Sequence, residues 1–87
     1  MKVIAKPIEM VAWFTLDGIP HPVRFRFQDE QGGNRVIKID RVINRDKEKV
    51  AGNEMINFRC ESVIKGIQKV FEIKYELRTC RWVLFKI

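Results

Sequence analysis

The chain has few of the side chains on which enzymatic chemistry depends. Its 87 residues include one histidine, His21, and one serine, Ser62. Nucleophilic catalysis needs a hydroxyl or thiol beside a base. His21 lies between two prolines in a predicted loop, where an exposed imidazole is the simplest interpretation. The acidic groups of Asp29-Glu30 and of Asp46 to Glu48 fall in predicted loop tips, whereas a general acid normally needs burial. The sequence therefore predicts no enzyme.

Cysteine is also scarce, with only Cys60 and Cys80 in the chain. A structural zinc site needs about four Cys, His or carboxylate ligands. Gly32-Gly33 is not followed by the Gly-Lys-Ser/Thr of a phosphate loop. We therefore predict no metal and no cofactor, and reduced thiols that act as small core residues. A cross-strand disulfide is the alternative if the two Cα atoms come within about 7 Å.

Long apolar runs are missing as well. Runs such as Val11 to Phe14 and Trp82 to Phe85 are a few residues long, far below the roughly 20 of a spanning helix. At the N-terminus Lys6 follows Lys2 before an apolar core of signal-peptide length can develop. The expectation is a cytoplasmic domain that does not enter a membrane.

Apolar residues that alternate with polar ones are abundant, which is typical of half-buried strands. Val23 to Gln28 places Val and Phe on one face and Arg and Gln on the other. In Ile67 to Leu77 the odd positions carry Ile, Lys, Phe, Ile, Tyr and Leu. In Ile8 to Leu16 every even position is apolar. These three segments are predicted strands with one face toward a core.

Three further segments are less regular. Arg35 to Arg45 changes its apolar face, which a bulge near Asp40 to Val42 would explain. The charged stretch Asn44 to Ala51 is predicted as a long hairpin tip rather than a helical turn, because no apolar stripe accompanies it. In Glu54 to Ile64 the residues Ile, Phe, Cys and Ile share one face.

The last segment, Cys80 to Ile87, is apolar on both faces and needs cover or a central place in a sheet. We expect it to pair with Ile73 to Leu77 and with Lys2 to Ala5, because an unpaired apolar edge invites aggregation. The turn signals between strands are Asp17-Gly18, Gln31-Gly32-Gly33-Asn34, Gly52-Asn53, Lys65-Gly66 and Arg78-Thr79. The spacing predicts an all-β fold: one domain over residues 1–87, a small antiparallel barrel or two-sheet sandwich of six to seven short strands, mostly a meander.

The charge balance is positive, with 17 Lys and Arg against 11 Asp and Glu and a net charge of +6. Such a field attracts an anionic partner if the charges cluster. Seven residues form the candidate binding face on the outside of the sheet: Trp13, Arg24, Arg26, Arg35, Lys38, Arg59 and Lys74. Carboxylates at Asp40, Glu61, Glu72 and Glu76 interleave with these cations and dilute a phosphate-binding stripe.

The pattern from Pro20-His21-Pro22-Val23-Arg24-Phe25-Arg26-Phe27 to Tyr75-Glu76-Leu77-Arg78-Thr79-Cys80-Arg81-Trp82 resembles short bacterial proteins of uncharacterised function. That resemblance implies no activity, cofactor or functional residue. Two hypotheses follow from the residues. The first is a non-enzymatic β module for a protein partner, for a second copy through edge pairing, or for a regulatory or structural role. The alternative is RNA or single-stranded DNA binding through the basic outer face, with Trp13 as a stacking platform.

Overall fold

The computed structural model describes all 87 residues and contains seven strands and no helix. The strands are β1 Val3–Phe14, β2 Pro20–Gln28, β3 Asn34–Lys38, β4 Arg41–Val50, β5 Asn53–Ile64, β6 Ile67–Glu76 and β7 Arg81–Lys86. Nothing in the chain is a helix long and apolar enough to cross a bilayer. The predicted all-β class is confirmed.

All strand pairs are antiparallel, and the seven strands form one sheet in the order β3-β2-β1-β7-β6-β5-β4. The sheet curls into a half-barrel whose two edges are β3 and β4. The prediction of a closed barrel or a two-sheet sandwich was therefore wrong in detail. A closed barrel would require a ladder between β3 and β4, and the structure has none.

Strand β1 joins the two halves of the sheet, β2–β3 on one side and β4–β7 on the other. It pairs with each half at a different part of its length. Its first part pairs with β7, from Val3 opposite Lys86 to Ile8 opposite Trp82. Its second part pairs with β2. Strand β7 also pairs with β6 and so lies in the middle of the sheet. Of the two placements expected for the C-terminal apolar segment, cover on both faces or a central place in the sheet, the structure has the central one.

The segment from Arg35 to Arg45 is two strands rather than one bulged strand. Between them, the Ile39 N–H donates to the Val23 C=O of β2, and the next N–H, that of Asp40, donates to the Glu61 C=O of β5. The chain thus changes its pairing partner within two residues and passes from one edge of the sheet to the other. A bulge does occur, but inside β4 between Val42 and Asn44.

The charged stretch predicted as a hairpin tip is the body of β4. Residues 44–50 pair with β5 in a continuous ladder from Asn44 opposite Arg59 to Val50 opposite Asn53. The turn is only Ala51-Gly52. The Lys65-Gly66 connection is the predicted two-residue hairpin, with Ile64 opposite Ile67 and positive φ of 51° and 77° at the two turn residues.

Ser62 stabilises the two-residue connection between β3 and β4, Ile39 and Asp40, which is called the corner below. Its side chain is 1% exposed, and its Oγ donates to the Lys38 C=O over 2.6 Å. The same Oγ accepts from the Asp40 N–H over 3.2 Å, and the Asp40 carboxylate accepts from the Val63 N–H. The serine of β5 therefore ties the end of β3 to β5 and has a structural role.

The core lies on the concave face, where the alternating segments place their apolar side chains. The fully buried large side chains are Phe25, Phe58, Phe71, Ile73 and Leu84. The Phe25 and Phe71 rings join the two halves of the sheet edge to face, with centroids 5.7 Å apart. The predicted inward faces of β2, β5 and β6 are confirmed, although Ile67 at the start of β6 is 61% exposed.

The hydrogen bonds of Ser62 at the corner lead to a first prediction. We expect Ser62→Ala to lower the free energy of unfolding by about 1–3 kcal/mol, because it leaves the Lys38 carbonyl and the Asp40 N–H with fewer buried partners. Thr15→Ala is the matched control, since Thr15 also accepts from a backbone N–H, that of Ile19, but in an exposed turn. Urea denaturation measures both. Equal losses in the two variants would contradict a special role for Ser62.

Candidate functional site

On the outer face of β1, β2 and β3, one of the predicted binding cations is neutralised. Arg26 forms a bidentate ion pair with Glu9 on the neighbouring strand, with its Nη2 2.9 Å from both carboxylate oxygens. Arg24 and Lys38 are direct cross-strand partners and have no carboxylate within 4.0 Å. Of the predicted binding cations on the outer face of β1, β2 and β3, Arg24 and Lys38 are thus the two without a carboxylate partner.

On the outer face of β4, β5 and β6 the cations are paired with carboxylates. Arg59 contacts Glu72 at 3.0 Å. Lys74 bonds to Glu48, and its ammonium lies 4.0 Å from the centre of the Phe85 ring. Both of the predicted binding cations on this part of the sheet are therefore paired with carboxylates, Arg59 with one on the adjacent strand and Lys74 with one on β4, two strands away.

Trp13 lies on the outer face of β1 and is 56% exposed. Its indole stacks on the His21 ring, with centroids 4.1 Å apart and planes 7° from parallel. His21 is a residue of β2 and is half-buried, so its prediction as an exposed loop imidazole was wrong. The flanking prolines, both buried, belong to the strand rather than to a loop.

Arg35 lies on the opposite face from the other predicted cations. It pairs with Phe27 and shares its side of β3 with the buried Ile37. The structure thus does not bring the seven predicted residues together. Three are tied to carboxylates or rings, Arg24 and Lys38 form an unpaired couple near Trp13, and Arg35 faces the concave side.

The largest concave feature, called here the end cleft, opens at one end of the half-barrel and has a volume of about 880 Å³. Its walls come from β1, β2, β3, the β5–β6 hairpin and the C-terminus. Its apolar lining consists of Ile4, Phe27, Ile37, Ile64, Ile67 and Ile87. The curl of the sheet leaves this lining open because neither edge strand covers it.

Four cations line the end cleft: Lys6, Arg35, Lys65 and Lys69. None of them has a carboxylate within 4.0 Å. The Lys6 ammonium lies 5.6 Å from the centre of the Phe27 ring. Asp29 and Glu30 also line the cleft, but Asp29 Oδ1 accepts from the N–H groups of Gln31 and Gly33, both at 2.9 Å, and so shapes its own turn.

Sequence reasoning named only Arg35 among these cleft cations. The missed signal was the strand face that the alternating pattern assigns to each cation. Lys69 occupies an odd position in Ile67 to Leu77, in step with the buried Phe71, and Lys6 is in step with Ile8 and Met10 on β1. A cation in phase with the core residues points to the concave face, where it needs either a partner or an opening.

The two cysteines lie in different surroundings and both are free thiols. Cys60 is fully buried in the core, and this burial raises the pKa of its thiol to about 12. Cys80 is exposed in the turn before β7, where its φ is 60°. It raises the pKa of Tyr75, first by a side-chain hydrogen bond, with burial adding to the shift. No three His, Cys, Asp or Glu side chains are grouped as a metal site would require.

Comparisons of the chain with protein-family models, with curated proteins and with solved structures give no match. The features of this chain that bear on its function are therefore the cleft, the ion pairs and the sheet edges.

The thiols give a second prediction. At pH 8 in native buffer, we expect Ellman's reagent to titrate one thiol within minutes, that of Cys80, and the second only after denaturant is added. The reason is that Cys60 is buried and stays protonated well above pH 8. Cys80→Ser is the control and is expected to leave no fast-reacting thiol. Two fast thiols in the native protein, or none, would be inconsistent with these positions.

Proposed function

We propose that the chain is a non-enzymatic binding module that holds an extended acidic segment of a partner protein in the end cleft. The observation that carries this proposal is the combination of four unpaired cations with an apolar lining in the largest cleft of the molecule. A segment with acidic side chains and interspersed apolar ones complements both properties. Such a module regulates or scaffolds its partner and needs no catalytic group.

The contrast with the outer face supports this choice. There, the cations Arg26, Arg41, Arg59 and Lys74 already have carboxylate partners, so an incoming anion would have to displace them. In the cleft an incoming carboxylate meets cations that lack such a partner. Complementary charge mainly gives specificity and a faster association rate. The cleft should therefore select the acidic segment.

The apolar lining supplies the second part of the recognition. Ile67 is 61% exposed and Ile4 is 37% exposed, and both are covered when apolar ligand side chains enter the cleft. Removing apolar surface from water is the general driving force of association. A volume of about 880 Å³ has room for a few side chains of an extended segment. The ligand class is thus acidic and apolar together, not acidic alone.

The third prediction tests the cleft with a fluorescein-labelled peptide, (Glu-Leu-Pro)4, whose prolines prevent it from adding to a sheet edge as a regular strand. We expect Arg35→Glu to weaken binding about tenfold or more, a loss of roughly 1.4 kcal/mol or more. Arg24→Glu is the matched control, because it makes the same charge change on the outer face. Fluorescence anisotropy in low salt measures both affinities.

Two control peptides define the ligand class. (Lys-Leu-Pro)4 is expected not to bind because its charge has the wrong sign, and (Glu-Ser-Pro)4 is expected to bind much more weakly because it lacks apolar side chains. The proposal fails if (Glu-Leu-Pro)4 does not bind, or if Arg24→Glu weakens its binding as much as Arg35→Glu does.

The alternative function is binding of RNA or single-stranded DNA on the outer face. The observation that favours it is the unpaired couple Arg24 and Lys38, on the face that also carries the exposed Trp13. Cations that follow a phosphate backbone beside an aromatic ring are typical of single-strand binding. The surrounding ion pairs restrict this site to a short segment of nucleic acid.

The fourth prediction separates the two functions by exchanging the roles of the two variants, so that Arg24→Glu is the test and Arg35→Glu the control. If the outer face binds nucleic acid, labelled dT12 and a U12 RNA should bind in low salt, lose affinity steeply as salt rises, and lose it in Arg24→Glu but not in Arg35→Glu. A gel shift and an anisotropy titration give these values. The absence of any binding at low salt rules the alternative out.

A further inference from the structure

Strand β4 is an open sheet edge, and none of its residues lines the end cleft. It is the last strand of the sheet, and β5 is the only strand with which it pairs. Eight of its ten residues are exposed. An edge of this length presents unpaired main-chain N–H and C=O groups that are able to bind another strand.

The direction of these unpaired groups follows from the ladder. The Leu77 N–H donates to the Glu54 C=O, so the main chain of Glu54 faces toward β6 and away from β4. Lys49 is the cross-strand partner of Glu54, and its N–H and C=O therefore point to the open edge. Because strands repeat every two residues, the same holds for Lys47 and Arg45.

The three residues with outward main-chain groups are also the three cations of this strand's concave face. Arg45 lies opposite the buried Phe58 and Lys47 opposite the buried Ile56, which fixes their face. The Arg45 guanidinium lies 5.6 Å from the centre of the Phe58 ring. None of the three cations has a carboxylate within 4.0 Å, not even Lys49 beside Glu54.

A second copy of the chain does not complement this edge. In a two-fold antiparallel pairing, each residue lies opposite one with the same side-chain face, so one residue lies directly opposite its own copy across the axis. If that residue is Arg45, Asp46 or Lys47 in the middle of β4, its charge lies directly opposite itself. Like charges in directly opposite positions destabilise a sheet. The order of charges therefore opposes self-pairing.

We propose that β4 binds an acidic segment of a partner protein as an added antiparallel strand. Acidic residues at every second position of the segment lie opposite Arg45, Lys47 and Lys49, and their main-chain groups bond to the same three residues. The site goes beyond the end cleft because it uses a different strand, different cations and main-chain hydrogen bonds. Its ligand needs alternating acidic residues rather than apolar ones.

The fifth prediction uses a fluorescein-labelled (Glu-Thr)4 peptide and two N-methylated forms of it, with the unmodified chain as the receptor. In the proposed pairing the glutamate N–H groups donate to β4 and the threonine N–H groups point away. We expect N-methylation of the glutamates to weaken binding at least tenfold and N-methylation of the threonines to change it less than threefold. Anisotropy measures the three affinities.

Variants of the chain locate the bound peptide. Lys47→Glu is expected to weaken (Glu-Thr)4 binding at least tenfold. Two matched controls, Lys38→Glu on β3 and Arg35→Glu in the end cleft, are expected to change it less than threefold. Circular dichroism checks that each variant keeps its strand content. If Lys47→Glu does not fold, the N-methylated peptides still decide the question, because they leave the chain unaltered.

Four results would overturn the proposal. The first is no binding of (Glu-Thr)4, and the second is equal affinity for the two N-methylated peptides. The third is a loss in Arg35→Glu as large as in Lys47→Glu, which would place the peptide in the cleft. The fourth is an occupant of another kind: dT12 that displaces (Glu-Thr)4 in a manner dependent on Lys47, or a dimer in sedimentation that Lys47→Glu dissociates.

Discussion

The corner at Ile39 and Asp40 determines how the two edges of the sheet are placed relative to each other. Within two residues the chain leaves β2 and joins β5, and Ser62 holds that change of partner from inside the fold. β3 and β4 lie at opposite edges of one sheet, yet only the two residues of the corner connect them. The sheet must then curl to bring these edges close, yet the edges form no ladder and the half-barrel stays open.

The open half-barrel gives the charges two different environments. On the outer face, cross-strand carboxylates pair with Arg26, Arg41, Arg59 and Lys74. On the concave side, the cations of the end cleft and of β4 have no such partners. Apart from Arg24 and Lys38, the cations without a carboxylate partner in these two regions lie on the concave side, beside exposed apolar side chains or unpaired main-chain groups. Both proposals rest on this distribution.

Much of the fold was predictable because alternation reports directly which side chains face a core. The pattern predicted the inward faces of β2, β5 and β6, the Lys65-Gly66 hairpin and the central place of β7.

The pattern did not predict the corner, because a bulge and a change of partner strand produce the same shift in apolar phase. It also missed β4, whose charged residues pair with β5 without burying an apolar stripe. The cleft depends on the curl, which no local pattern encodes, although Lys6 and Lys69 in phase with core residues were a usable signal.

Amide hydrogen exchange along β4 tests the open half-barrel most directly. An unpaired edge at β4 requires alternation: slow exchange at Asp46 and Glu48, whose N–H groups face β5, and fast exchange at Arg45, Lys47 and Lys49, whose N–H groups face the open edge. Protection at all five amides in the free protein would contradict it, because the edge would then be paired within a closed barrel or with another chain.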